Sequence, residues 1–109
     1  MTEIDVQNKP LAQMLWTAPV SREDGTPFDA STEVGEYRIY HGMVSGDYQN
    51  QISVAGNTLY ADLDFEELPL PLFVVMTTVD NDGRESVYSE EIQFVKKTFA
   101  PNPPTGLHV

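Results

Sequence analysis

Leu72-Phe-Val-Val-Met-Thr-Thr-Val-Asp-Asn-Asp-Gly83 is a long apolar run that stops abruptly in a turn. Successive side chains of an extended chain point to opposite faces. Leu72, Val74, Met76 and Thr78 would therefore share one side, and Phe73, Val75, Thr77 and Val79 the other. Both sets are mostly apolar and rich in β-branched residues, the pattern of a central rather than an edge strand. Asp80-Asn81-Asp82-Gly83 then supplies turn chemistry, because Asn and Asp tolerate left-handed backbone angles and Gly has no Cβ to clash. A second strand is predicted over roughly Tyr88 to Lys96, with Ile92 and Phe94 on one face and Gln93 on the other. The pair reads as a β-hairpin in the middle of a sheet.

Working outward, the same reasoning predicts shorter strands. Thr2 to Val6 has Ile4 and Val6 on one side, and Gln7 to Pro10 turns. Leu11 to Thr17 would send Ala12, Met14 and Trp16 inward, and Pro19 ends it because proline cannot donate to a ladder. Val20 to Val34 is a polar loop, long for a compact domain and so either functional or mobile. Within it, Phe28 is expected to plug one end of the core. In Glu36 to Gly42, Tyr37 and Ile39 face the core and leave Arg38 and Tyr40 outside. Gly42 to Asp47 turns into a modest edge strand, Tyr48 to Val54. From Leu59 to Phe65 the apolar set is Leu59, Ala61, Leu63 and Phe65, opposite Tyr60, Asp62 and Asp64.

The segment TTVDNDGRESVYSEEIQF resembles the last hairpin of a fibronectin type III domain in its bacterial and phage form. Leu15-Trp-Thr-Ala-Pro19 resembles that family's second strand, with Trp16 as the core tryptophan. Glu36-Tyr-Arg-Ile-Tyr-His-Gly42 resembles the third, and Asn57 to Phe65 the fifth. Together these segments span roughly residues 10 to 96 of the 109. The resemblance implies an all-β, seven-stranded antiparallel β-sandwich over residues 1–100, with a proline-rich tail over 101–109. The chain departs from the family at two points. The family carries a Tyr at the start of the sixth strand where this chain has Leu72, so the preceding corner is expected to be held by Pro69 and Pro71. The family pattern would also send Thr58 and Tyr60 inward, against the apolar alternation, and a one-residue slip reverses every side chain.

Composition narrows the function classes. The length is that of one domain. There is no cysteine, hence no disulfide framework and no thiol chemistry. Seventeen acidic residues against six basic give a net charge of −11, which opposes binding to nucleic acid or to anionic membranes. The acidity reads as a solubility feature or as a face for a basic partner. No apolar run approaches the roughly 20 residues that span a bilayer. Met1 to Pro10 lacks the basic start and apolar core of a secretory signal. The resulting expectation is a virion protein, or a cytoplasmic one before assembly.

No catalytic, cofactor-binding or metal-binding constellation is found. His41 ends a strand and His108 lies in the tail, neither beside a nucleophile motif. Asp80, Asp82 and Glu85 cluster at the turn and Glu91 follows, but Gly83 stands at position four counted from the first Asp where a calcium loop needs it at position six, so turn chemistry is the reading. Asp62, Asp64, Glu66 and Glu67 read as a solvated face. What remains is binding. If Leu72, Val74 and Met76 face the core, then Phe73 and Val75 face outward beside Arg38 and Tyr40, an exposed patch of the kind that marks interfaces. The tail segment PPTGLHV resembles the first strand of another such domain, and Pro103, Pro104, Leu107 and Val109 are candidates to add it to a neighbour's sheet edge. The expectation is a non-enzymatic structural module that assembles with protein partners or with itself, such as a phage capsid-decorating, tail or spike protein. The alternative is a carbohydrate-binding or host-adhesion module using Tyr48, Gln49, Asn50 and Gln51.

Overall fold

The computed structural model describes residues 2–7, 9–97 and 100–109. Asn8 of the predicted turn, and Thr98 and Phe99 between the last strand and the tail, lie outside the described residues, as does Met1. The chain is all-β apart from one helical turn. The strands are β1 (Thr2–Asp5), β2 (Leu11–Leu15), β3 (Val34–Gly42), β4 (Asn50–Ala55), β5 (Tyr60–Asp64), β6 (Leu72–Asp80) and β7 (Ile92–Val95), with α1 (Ala30–Glu33) between β2 and β3. They form a five-stranded sheet in the order β1-β7-β6-β3-β4 and a two-stranded sheet, β2-β5. As its sequence predicts, β6 is central, flanked by β3 and β7.

One pairing departs from the antiparallel expectation. β1 runs parallel to β7, from Thr2 opposite Ile92 to Asp5 opposite Val95. Ile4 and Val6 carry the apolar surface that takes β1 to this sheet, and Val6 is buried in the main core. Its amide donates to the Val95 carbonyl at 2.8 Å. β1 is therefore spent on the large sheet, and β5 is the only strand beside β2 among the described residues.

The core draws on both sheets: Val6, Met14, Ile39, Leu63, Leu72, Val74 and Phe94, with Trp16, Ala61, Phe65 and Ile92 packed against them. The inward sets predicted for β2, β3 and β7 are the ones found. In β5 the apolar alternation wins over the family pattern: Leu63 is buried and Tyr60 is half exposed. The cost of placing Leu63 in water outweighs any preference for Tyr60 inside. The corner between β5 and β6 is tied by Asp64. Its carbonyl accepts the amides of Glu67 and Leu68 at 3.2 and 2.8 Å, and its Oδ1 accepts that of Glu66 at 2.9 Å. This carboxylate-anchored turn precedes Pro69 and a cis Leu70–Pro71 bond in the same corner.

The long loop is ordered by local bonds. Ser21 bridges to Pro27, and Phe28 is buried as a plug. Asp29 caps α1 by accepting the Ser31 amide at 3.0 Å, while Glu33 reaches back to the Asp29 amide at 2.6 Å. The guanidinium of Arg22 lies 4.9 Å from the centre of the Phe28 ring and bonds Glu33 and Asp80 at 3.2 and 3.0 Å. Asp80 also takes the Arg84 guanidinium at 2.9 Å and the Asp82 and Arg84 amides at 3.0 and 2.8 Å. The Arg84 amide bond, joined by both arginines, draws the Asp80 carboxyl down to about 2. Gly83, at a φ of 84°, completes the turn.

Residues 100–109 form no secondary structure and are exposed throughout. They give the molecule a long axis of 77 Å and a radius of gyration of 18.9 Å, where a compact chain of this length has about 13 Å. Because β7 runs from Ile92 to Val95 beside Asp5, the tail leaves from the end of the molecule opposite Trp16 and Tyr37.

Candidate functional site

The predicted outer patch is not open. Val75 is 2 % exposed and Thr77 and Val79 are equally buried, while Phe73, Arg38 and Tyr40 are half-buried. The cover comes from the segment after the β6 turn. Sequence predicts a regular strand from Tyr88 onward; instead residues 84–91 run beside β6 as an irregular cover, and β7 begins only at Ile92. Ser86 and Ser89 hold this segment with two bonds each. Their amides donate to the carbonyls of Thr78 and Met76, both at 2.9 Å. Their hydroxyl oxygens accept the amides of the same two residues at 3.0 and 2.9 Å. Sequence periodicity misses this because the segment has no two-residue alternation. The Ser-x-x-Ser spacing was the available signal.

So held, the segment lays Glu85, Tyr88 and Glu91 over the sheet. The Tyr88 ring sits 5.3 Å from that of Tyr40 and 5.5 Å, edge-on, from that of Tyr48. The hydroxyl of Tyr40 donates to Glu85, as does Thr77 at 2.7 Å, and Arg38 binds the same carboxylate at 3.0 Å. Burial works to raise the Glu85 carboxyl, but these donors and the Arg38 charge together hold it below its ordinary range. Glu91 is lowered by the Tyr48 hydroxyl and then by Ser45, which donates at 2.7 Å. Arg38, Tyr40, Phe73 and Val75 are thus brought together on one face, but beneath an internally satisfied polar layer. Tyr48, the aromatic platform of the sugar-binding alternative, is half-buried in that layer, leaving only Gln49, Asn50 and Gln51 exposed.

His41 faces the interior and is buried, which pushes its imidazole down from the ordinary value. Among the described residues no three His, Asp or Glu side chains gather as a metal-binding group, and no helix is long and apolar enough to cross a membrane. A cleft of about 440 Å³ lies beside Arg22, Phe28, Asp80 and Arg84, where both arginines already bond Asp80.

A second groove differs. It has a volume of about 310 Å³ and lies between the end of β2 (Met14, Leu15, Trp16, Thr17) and the covering segment (Ser86 to Glu90, Ile92), floored by Tyr37, Val74 and Met76. Trp16 packs edge-on against Tyr37 at 5.5 Å. The indole Nε1 and the Tyr37 hydroxyl are both buried, with no hydrogen-bond partner among the described residues. Orphan polar atoms of this kind cost free energy, about 1–3 kcal/mol each.

Compared with protein-family models, curated proteins and solved structures, the chain has no match.

The groove adjoins a free strand edge. The Trp16 amide bonds the Leu59 carbonyl, and the Phe65 amide bonds the Pro10 carbonyl. Hydrogen-bonded pairs alternate along an antiparallel ladder, so the even-numbered residues of β2 bond β5. Leu11, Gln13 and Leu15 turn their N–H and C=O groups the other way, where no strand lies among the described residues. Leu11 and Leu15 also expose their side chains. Charge and proline are the usual guards of such an edge, and β2 contains neither. Of the predicted tail residues, Pro103, Pro104, Leu107 and Val109 are all exposed.

Proposed function

We propose that this chain is a non-enzymatic structural module, a fibronectin type III-like β-sandwich that works by assembly with other protein subunits. The observation that carries the reading is the unguarded β2 edge above an apolar groove. In a chain of net charge −11, such a surface serves contact with protein better than solubility. Placement in a phage particle, as a capsid-decorating, tail or spike component, is the setting suggested by the family resemblance; it rests on analogy of fold. The polar layer over β6 and the buried His41 support a binding role over a catalytic one.

Light scattering after size exclusion tests this on the full chain. Assembly that grows with concentration, and that is lost in the Gln13→Lys/Leu15→Lys variant without loss of melting temperature, is the expected result. A full chain that stays monomeric at every concentration, and a variant indistinguishable from it, would overturn the reading.

A further inference from the structure

We infer that the groove beside β2 receives residues 105–109 of a second copy of this chain, laid along the β2 edge as an added strand. The inference rests on the assembly reading and names its contact. β2 offers an edge of five residues with outward backbone groups at Leu11, Gln13 and Leu15. The segment Thr105-Gly-Leu-His-Val109 has the same length and, coming after Pro103 and Pro104, an amide on every residue. In extended form Leu107 and Val109 share one face and His108 the other. Leu107 is 91 % exposed where it now lies. Turned into the groove, Leu107 and Val109 would meet Met14, Trp16 and Tyr37, and the orphaned Trp16 Nε1 and Tyr37 hydroxyl would find peptide carbonyls to donate to.

Charge favours this pairing. Among 17 acidic residues, none falls within Leu11–Thr17 and none within residues 100–109, so these two segments meet without the repulsion that opposes most contacts between copies. β4 is also an uncharged edge, but the orphaned donors stand beside β2.

The absence of cysteine allows a direct test. With Leu107 and Val109 inward, His108 lies on the outer face with Leu15, at cross-strand distance. A Leu15→Cys chain and a His108→Cys chain, mixed and oxidised, should form a disulfide-linked heterodimer. That product should be lost when the His108→Cys chain also carries Leu107→Asp and Val109→Asp. A Gln51→Cys chain, on the β4 edge, should give only background cross-linking. Equal yields at Leu15 and Gln51 would overturn the inference, and so would a monomeric disulfide in the Leu15→Cys/His108→Cys double variant, which would place the tail on its own chain. Should the parent assemble by light scattering while these cross-links fail, the occupant is wrong and the assembly reading stands. A parent that is monomeric throughout removes both.

Discussion

β6 and β2 are both apolar strands, and their surroundings are opposite. β6 is buried on both faces and bonded along both edges. β2 is buried on one face and bonded along one edge, and it exposes Leu11 and Leu15 on the other face. The difference lies in the neighbouring chain segments. The chain leaving β6 folds straight back over it, fastened by Ser86, Ser89 and the carboxylates of Glu85 and Glu91. The chain entering β2 comes from the far sheet, where β1 pairs with β7. An apolar alternation thus tells that a face needs cover, but not which segment covers it or whether the same molecule supplies the cover.

The largest effect should come from a charge placed on each strand. Val75→Asp sets an unpaired carboxylate under the Tyr40–Tyr88 layer and should cost several kcal/mol, enough to unfold a marginal domain. Leu15→Asp, on the exposed face of β2, should stay within about 0.5 kcal/mol of the parent in the monomer. Urea denaturation measures both, and equal losses would erase the contrast. Next, Leu63→Ala should cost about 2–5 kcal/mol by leaving a cavity between the sheets, against about 0.5 kcal/mol or less for Leu59→Ala; a small Leu63 effect would mean that the two-stranded sheet contributes little to the core. Ser86→Ala and Ser89→Ala should each cost about 1 kcal/mol, with faster amide exchange at Thr78 and Met76 respectively. Unchanged exchange there would show that the backbone bonds alone fasten the cover.

The smallest effect is a change of slope with pH. The Asp80 carboxyl is held at about 2 in the fold and titrates near 3.9 when unfolded. The unfolded chain therefore binds the extra proton between these values. The stability that Asp80 contributes is complete above about pH 4 and drains away as the pH falls toward 2. Asp80→Asn should flatten the decline of thermal stability across that window relative to the parent; an unaltered decline would assign the acid sensitivity to the other carboxylates.

The inward sets of β2, β3, β6 and β7 were legible because burial of Tyr37, Ile39, Leu72 and Phe94 comes directly from alternation, whereas in β5 alternation and the family pattern disagreed and only the structure places Leu63 inside. The role of Phe28 as a plug was legible too, as a lone aromatic in a polar loop. The cover of Val75 was not, because Ser86 and Ser89 act through hydroxyl-to-backbone bonds that leave no periodic trace. Nor was the parallel seat of β1: the apolar pair Ile4 and Val6 fits either sheet, and only the competition between the sheets decides it. The free edge of β2 is a result of that competition, so it was beyond reach of any local reading. The candidate residues of the tail could be named from sequence, whereas the groove that they suit could not.

The tail departs from the end of the molecule where Val95 meets Asp5, and the groove opens at the other end, beside Trp16. Donor and acceptor on one copy therefore look in opposite directions. A contact built from them is heterologous and does not close on itself after two subunits. It passes from copy to copy with a fixed polarity. Such a polymer either bends round into a ring or grows as a thread, and its length depends on whatever caps the last vacant groove.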